Sequence, residues 1–173
     1  RLYDATTTAN SGDLTLSNLV GSETLAFSGN GTLGDADVAT NKTVTLNTLS
    51  ISDNSGLAAN YTLSGGTHQL TVNQRPLNAT LARQYDGTTT AAGSDLSSFD
   101  ALQGGETLTM TGSGTAASAN VANGIAMSSN GTLALADGTG SASNYSLNST
   151  VINIAQRVLN SSGSKTYDAN TDA

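Results

Sequence analysis

The chain lacks cysteine and tryptophan, and it has a single histidine and a single proline among 173 residues. Without thiols, disulfides and zinc–thiolate sites are excluded. His68 has no second histidine with which to form a catalytic or metal site, so we interpret it as an ordinary strand-edge residue. A cysteine-free chain rich in Ser, Thr, Asn and Gly is typical of exported bacterial proteins. We therefore expect an exported bacterial protein.

Charge is also scarce, because Asp, Glu, Lys and Arg make up 11% of the chain, against roughly 25% in ordinary soluble domains. The net charge is −7, and only six residues are Lys or Arg. Binding to nucleic acid or to an anionic membrane surface needs a basic face, which this composition does not supply. No apolar run approaches the roughly 20 residues that cross a bilayer. We expect neither a nucleic-acid partner nor membrane insertion.

What the chain does contain is a repeat. Tyr3-Asp4-Ala5-Thr6-Thr7-Thr8-Ala9 returns as Tyr85-Asp86-Gly87-Thr88-Thr89-Thr90-Ala91 and again as Tyr167-Asp168-Ala169-Asn170-Thr171-Asp172-Ala173, 82 residues apart each time (85 − 3 and 167 − 85). Three further marks recur at offsets of 82 to 84 residues: 21–25 with 104–108, 60–63 with 144–147, and 74–78 with 156–160. Tandem copies of one unit indicate an array whose product is length, spacing or multiplied weak contacts.

The repeat register predicts three segments: 1–74, a first repeat lacking its initial strand; 75–156, a complete second repeat; and 157–173, the start of a third. Leu77, Ala79 and Leu81 share one face of the strand that opens the second repeat, and Pro76 suits its start. Arg1 aligns with Arg83, so the first repeat has no such strand. Two interpretations stay open: a window of a longer polypeptide, or a subunit whose residues 158–164 fill the groove of the next copy.

Alternating apolar residues predict an all-β or mostly β fold, with strands at 14–16, 46–51, 70–72, 108–110, 133–135 and 152–154. No segment has a convincing helical period. The best helix candidates, 35–40 and 116–122, are short and rich in poor helix formers. Residues 60–64 and 67–73 around Gly65-Gly66 predict a β-hairpin.

The Tyr-Asp motif predicts a structural turn, in which Asp accepts a backbone N–H and Tyr offers a ring to a thin core. Alanine at positions 5 and 169 replaces Gly87, which predicts that the turn needs no positive φ and is of type I. Sugar binding by the motif is the alternative. Tyr61 and Tyr145, each preceded by asparagine, are predicted to be equivalent core residues, with Leu63 and Leu147 on the same face.

Tyr85-Asp86-Gly87-Thr88 at an 82-residue period, together with the Asn-Tyr-x-Leu mark, resembles the YDG repeats of filamentous-haemagglutinin-like bacterial surface exoproteins, which are related to mostly-β-grasp repeats. The resemblance implies tandem β-grasp-like domains in an elongated end-to-end array. It implies an extracellular location, secreted or on the bacterial cell surface, and a structural shaft of a large secreted adhesin or extracellular filament, active in adhesion or biofilm-matrix cohesion. It carries no catalytic residues, so we expect no enzyme. The residues expected to carry the structural repeat motif are Tyr3, Asp4, Asn60, Tyr61, Tyr85, Asp86, Gly87, Asn144, Tyr145, Tyr167 and Asp168.

Two alternatives remain. A polysaccharide-binding adhesin module would act by avidity, with a polysaccharide or a host or bacterial surface as partner; the structural reading has neighbouring copies of the repeat as partners, joined by continuous chain or by strand donation. No cofactor is expected, although Asp35, Asp37 and Asp53 offer the oxygen ligands that calcium prefers. The repeated acids are interpreted as turn residues and N-caps rather than a glycosidase pair: Glu23 with Glu106, Asp13 with Asp95, and Asp53 with Asp137.

Overall fold

The computed structural model describes residues 1–167. Within that range the protein is mostly β, with fourteen strands, four single-turn 3-10 helices and no α-helix. As predicted, neither 35–40 nor 116–122 is a helix: 39–40 belong to one strand, 116 ends another, 122 begins a third, and the residues between are bends and irregular structure. None of the described helices is long and apolar enough to cross a membrane.

Unit 1, residues 1–74, contains six strands: β1 Thr8–Asn10, β2 Ala26–Ser28, β3 Asn30–Leu33, β4 Ala39–Thr45, β5 Ser50–Ser52 and β6 Gln69–Val72. Four of them form an antiparallel sheet in the order β1-β3-β4-β6, and β2 pairs with β5. The strand expected at 70–72 is therefore confirmed, whereas the one expected over 46–51 is confirmed only for its last two residues.

Unit 2, residues 75–156, contains eight: β7 Arg75–Gln84, β8 Thr90–Ala92, β9 Leu96–Phe99, β10 Leu108–Thr111, β11 Ser113–Ala116, β12 Ala122–Ser129, β13 Ala134–Asp137 and β14 Tyr145–Ala155. The main sheet has the order β8-β11-β12-β14-β7-β9, and β10 pairs with β13. The first and last strands, β7 and β14, run parallel at its centre. Leu77, Ala79 and Leu81 are almost fully buried on one face, as their alternation predicts.

Unit 1 lacks most of the strand that corresponds to β7 in unit 2. Unit 1 has only the last rung of the equivalent ladder, a parallel bridge between Leu2 and Asn73 that corresponds to the pairing of Gln84 with Ala155. Residues 14–17, which align with β9, pair with no strand among residues 1–167 and are not a strand, so the prediction at 14–16 was wrong.

The predicted hairpin around Gly65-Gly66 was also wrong. In unit 2 the equivalent residues form one strand, β14, interrupted by a bulge between Leu147 and Ser149. In unit 1 the two glycines lie in a turn closed by the N–H of Gly66 and the carbonyl of Leu63, 3.2 Å apart. The Gly65-Gly66 turn therefore interrupts the counterpart of β14 in unit 1 and does not connect two paired strands.

The hydrophobic core is continuous between the units. One cluster combines residues of unit 1 with residues of unit 2: Tyr3, Ala9, Leu33, Val44, Leu49, Leu70 and Val72 with Leu77, Leu108 and Tyr145. A second lies wholly in unit 2: Ala79, Leu81, Ala91, Met110, Ala116, Leu133, Ile152 and Ile154. The sequence boundary between the repeats thus passes through shared packing.

Candidate repeat–repeat junction

The Tyr-Asp motif forms the same turn in both units. The Oδ1 atom of Asp4 accepts hydrogen bonds from the backbone N–H of Thr6 at 3.0 Å and from its hydroxyl at 2.8 Å. Asp86 accepts the matching pair from Thr88 at 2.9 and 3.0 Å. The aspartate therefore closes a turn two residues ahead, as the motif predicts.

An arginine three residues before each aspartate reinforces the turn. Arg1 forms an ion pair with Asp4, and Arg83 forms one with Asp86. The backbone N–H of Thr88, followed by the Arg83 guanidinium, lowers the pKa of Asp86 to about 2. We therefore expect this aspartate to stay ionised down to about pH 2.

The residue after the aspartate has a left-handed backbone in both copies. Its φ is +60° at Ala5 and +80° at Gly87. The prediction that the turn needs no positive φ was wrong. The hydrogen bonds of Asp4 and its ion pair with Arg1 fix the turn, and they hold Ala5 in a backbone conformation that is unfavourable for alanine.

Gly87→Ala should therefore destabilise the protein by about 1 kcal/mol, the cost of a left-handed backbone for a residue with a Cβ. Steric clash is not involved, because a Cβ there would meet only the Tyr85 hydroxyl, at 3.9 Å. Urea unfolding measures the change. Ala5→Gly is the matched variant and should not destabilise; a loss of equal size in both variants would contradict the φ explanation.

Tyr3 links the turn of unit 1 to unit 2. Its ring meets that of Tyr145 edge-on, with centroids 5.3 Å apart and planes at 77°, a favourable arrangement for aromatic pairs. Both hydroxyls donate to the Glu106 carboxylate, Tyr3 to Oε1 at 2.5 Å and Tyr145 to Oε2 at 2.6 Å. Tyr3 is 3% exposed and Tyr145 is 2% exposed. One carboxylate thus holds a tyrosine from each unit.

Asn144 provides a second connection. Its Oδ1 accepts the backbone N–H of Val38 at 2.9 Å, and its Nδ2 donates to Oδ1 of Asp37 at 2.8 Å. The side chain is almost fully buried, with both of its polar atoms bonded to unit 1. Since an unpaired buried amide would be costly, these bonds fix the orientation of the two units as well as their contact.

The segment that connects the units contributes two more hydrogen bonds, and it is too short to be a flexible linker. The Nε of Arg75 donates to the carbonyl oxygen of Tyr3 at 2.6 Å, and the Nε2 of Gln74 donates to that of Ser143 at 3.0 Å. Only two residues separate the end of β6 at Val72 from the start of β7. Bending at the junction would therefore break hydrogen bonds on several sides of the tyrosine pair.

A family model, the YDG domain, matches residues 1–70 and again residues 67–152. The chain belongs to the YDG domain family. The two matches, which overlap at residues 67–70, are consistent with the tandem repeat seen in the sequence. No curated protein matches the chain. No solved structure matches it either.

The two YDG units give the same motif different surroundings. Tyr61 aligns with Tyr145, and its hydroxyl donates to Glu23, the counterpart of Glu106. Yet Tyr61 is only half-buried and Asn60 is exposed, whereas Tyr145 and Asn144 are buried. The prediction of a core tyrosine was therefore correct for Tyr145 and wrong for Tyr61. The difference arises from the neighbouring unit that covers the second copy.

The same contrast holds for the Tyr-Asp motif itself. Tyr3 is buried in the junction, whereas Tyr85 is 39% exposed and Tyr167 is 92% exposed. Asp168 lies outside the described residues. Identical letters in the sequence thus mark a buried contact in one copy and a surface residue in another.

The acidic residues have separate structural roles. Asp13 and Asp95 each accept a backbone N–H three residues back, and Asp53 and Asp137 each accept one five residues ahead, as predicted for turns. Of the proposed calcium ligands, Asp35 pairs with Lys42, Asp37 with Asn144, and Asp53 with the N–H of Ala58. Residues 1–167 contain no group of three or more His, Asp or Glu side chains placed to hold a metal. The imidazole Nε2 of His68 lies 2.8 Å from the Leu63 carbonyl oxygen.

The junction tyrosines should resist ionisation. Burial, followed by the hydrogen bond to Glu106, raises the pKa of Tyr145 from 10.0 to about 12, and the same causes raise the pKa of Tyr3. A pKa that is higher in the folded protein stabilises it fully below the unfolded pKa. That contribution is lost as the pH rises through the folded pKa.

We therefore expect stability to fall above pH 10, with Tyr145 ionising near pH 12. Absorbance titration of tyrosinate should show these two tyrosines ionising late, together with the loss of the folded signal in circular dichroism. Tyr3→Phe and Tyr145→Phe should each remove one late-ionising group. Five tyrosines ionising in a single step near pH 10 in the folded protein would contradict the junction geometry.

Proposed function

We propose that these YDG units are a structural shaft segment of a large secreted bacterial adhesin or extracellular filament, serving adhesion or biofilm-matrix cohesion. The observation that carries the proposal is the junction, in which Tyr3 and Tyr145 share Glu106 within a core common to both units. An array of repeats whose neighbours pack in this way gains a fixed length per unit and resists bending.

We further propose that the units are β-grasp-like and lie end to end. The central parallel pairing of first and last strands in unit 2 supports this fold. The two-residue connection and the bonds of Asn144 and Arg75 support a fixed orientation between units. The partners in this role are neighbouring copies of the repeat, and the location is extracellular. Catalysis has no part in the proposal, because the repeated acids are occupied by protein donors.

Spin labels test the rigidity of the junction. The chain has no native cysteine, so Ser52→Cys and Ser97→Cys, at exposed positions in each unit, give clean labelling. We expect pulsed electron–electron double resonance to give a single, narrow distribution of the distance between the two labels. Tyr3→Ala should broaden it, and Tyr85→Ala, which changes the equivalent tyrosine outside the junction, should not. A broad distance distribution in the chain without the Tyr3→Ala substitution would contradict the proposal of a rigid shaft.

Antibodies raised against the chain test the location. They are expected to decorate extracellular fibres at regular intervals in electron micrographs of cells that carry the native protein. Labelling confined to the cell interior would contradict the proposal. Binding of the chain to immobilised polysaccharides, abolished by Tyr85→Ala, would favour the polysaccharide-binding alternative.

A further inference from the structure

The first and last strands of unit 2, β7 and β14, are the two longest strands among residues 1–167. β7 has 10 residues and β14 has 11. They pair in parallel along their whole length, from Arg75 with Tyr145 to Gln84 with Ala155. β9 pairs with the other edge of β7, and β12 pairs with the other edge of β14. The ladder between β7 and β14 is therefore enclosed by neighbouring strands on both sides.

The inner face of this ladder is closed to water. Leu77 and Leu81 of β7, together with Ile152 and Ile154 of β14, are at most 1% exposed. They belong to the two hydrophobic clusters that form the core of unit 2. No water lies on this face to replace a ladder hydrogen bond as it breaks, so the bond is harder to break than one at the surface.

On the outer face, Asn78 connects three strands. Its Oδ1 accepts hydrogen bonds from the Nδ2 of Asn148 at 3.0 Å and from the hydroxyl of Ser149 at 2.6 Å. Its Nδ2 donates to Oδ2 of Asp100 at 2.6 Å, and its backbone N–H donates to Oδ1 of the same carboxylate at 2.9 Å. Asp100 directly follows β9. One side chain of β7 thus holds β14 on one side and the end of β9 on the other.

Asn78 makes these bonds at the bulge of β14, where the register of the pair is set. Leu77 pairs with Leu147, and Asn78 pairs with Ser149, so Asn148 is the extra residue. If β7 slid along β14 by one residue, Asn78 would lose its partners at the bulge, and the buried face of β7 would turn towards solvent. Sliding is therefore opposed by side chains on both faces of the ladder.

The direction in which the chain passes through unit 2 determines how tension acts on this ladder. The chain enters unit 2 at the start of β7 and leaves it at the end of β14. Because the two strands are parallel, these points lie at opposite ends of the ladder. Tension along the chain pulls the strands past each other and loads all the hydrogen bonds of the ladder together. An antiparallel pair in the same place would open one hydrogen bond at a time.

We propose that the β7–β14 ladder is a mechanical clamp that resists tension along the chain, and that Asn78 locks it. The inference rests on the proposed shaft, because a shaft transmits force between its ends, and it identifies the part of the fold that bears this force. The resistance is kinetic, since forced unfolding depends on the rate of unfolding and not on the free energy of unfolding alone.

Two pulling geometries test the clamp in the full chain, which has no native cysteine to compete with the handles. Gln156→Cys supplies one handle in both. Pro76→Cys places the second handle at the far end of the ladder, so that the pull shears it. Gln84→Cys places it at the near end, so that the pull opens the ladder one pair at a time. All three positions are exposed, and circular dichroism verifies the fold of each double variant.

In optical tweezers at one pulling speed, the shearing pair should unfold unit 2 at a force at least about twofold higher than the opening pair, since several hydrogen bonds break together instead of singly. The length released, roughly 3.3 Å for each residue between the handles, identifies the event as the unfolding of unit 2. Equal forces in the two geometries would overturn the clamp.

Asn78→Ala tests the lock, because it removes three side-chain hydrogen bonds at the bulge. The shearing force should fall at least about 1.5-fold, whereas the opening force should stay the same, since Asn78 lies at the end of the ladder that opens last. Thr80→Ala is the matched control on the same face of β7 and should leave both forces unchanged. An equal effect of the two substitutions, or an equal loss in both geometries, would overturn the role of Asn78.

Failure of the clamp and failure of the shaft give different results. The spin labels at positions 52 and 97 report on the junction between the units, whereas the handles load only the ladder within unit 2. Equal pulling forces together with a narrow inter-label distance would overturn the clamp and leave the rigid shaft intact. A broad inter-label distance would contradict the rigid shaft, whatever the pulling forces are.

Discussion

Tyr145→Ala is expected to lower the free energy of unfolding by about 3–5 kcal/mol, as for other large aromatic truncations in a core. The ring is 2% exposed, packs edge-on against Tyr3, and donates its hydroxyl to Glu106. The substitution therefore opens a cavity at the junction and leaves a carboxylate with one hydrogen bond fewer. Urea unfolding, followed by circular dichroism, measures the loss.

Tyr61→Ala is the matched control, since it removes the same motif residue from unit 1. The ring of Tyr61 is only half-buried and packs against no other tyrosine ring within residues 1–167, so the loss should be clearly smaller. Tyr145→Phe separates packing from the hydroxyl and should keep most of the stability lost in Tyr145→Ala. Equal losses at Tyr61 and Tyr145 would contradict the claim that the neighbouring unit buries the second copy.

Features that depend on local patterning were predictable from the sequence. The face shared by Leu77, Ala79 and Leu81 needed only the two-residue period of a strand, and the Asp86 turn needed only the known preference of that side chain. The repeat register placed the start of the second repeat at Arg75, and β7 begins at that residue. The mostly β fold followed from the alternation of apolar residues, together with the lack of a convincing helical period.

The junction could not be predicted in this way. A contact between Tyr3 and Glu106 spans 103 residues, and one repeat period cannot distinguish a partner in the same unit from one in the next. The recurrence of 21–25 at 104–108 drew attention to Glu106, but nothing identified it as the acceptor for two tyrosines. Nothing in the sequence indicated that Asp37 and Val38 belong to the junction. Asn144 accepts the backbone N–H of Val38, which any residue type except proline could donate, and Asp37 is replaced by Asn120 in the second repeat.

The errors have a common physical origin. Ala5 adopts positive φ although alanine disfavours it, because two hydrogen bonds to Asp4 impose the turn. Residues 14–16 alternate like a strand but pair with no neighbour in the part of the chain that the structure describes. In both cases the tertiary surroundings override a local preference of about 1 kcal/mol.

Glu106→Ala should destabilise the chain by about 3 kcal/mol or more, since each hydrogen bond to a charged acceptor contributes roughly 1.5–3 kcal/mol. Two such bonds end on this carboxylate, one from each unit, so the loss falls on the junction. The inter-label distance should broaden as well, which a change confined to unit 2 would not cause. Urea unfolding and the spin-label experiment together measure both effects.

Glu23→Ala is the matched control, because that carboxylate accepts one tyrosine hydroxyl and lies outside the junction. It should cost less and leave the inter-label distance narrow. Glu106→Gln should fall between the two, because its amide oxygen accepts one hydroxyl without the charge. Removing that charge should also lower the pKa of Tyr145 from about 12, so tyrosinate should appear at lower pH. An unchanged titration in Glu106→Gln, with the fold intact, would show that burial alone protects the tyrosine pair and that the shared carboxylate is dispensable to the junction.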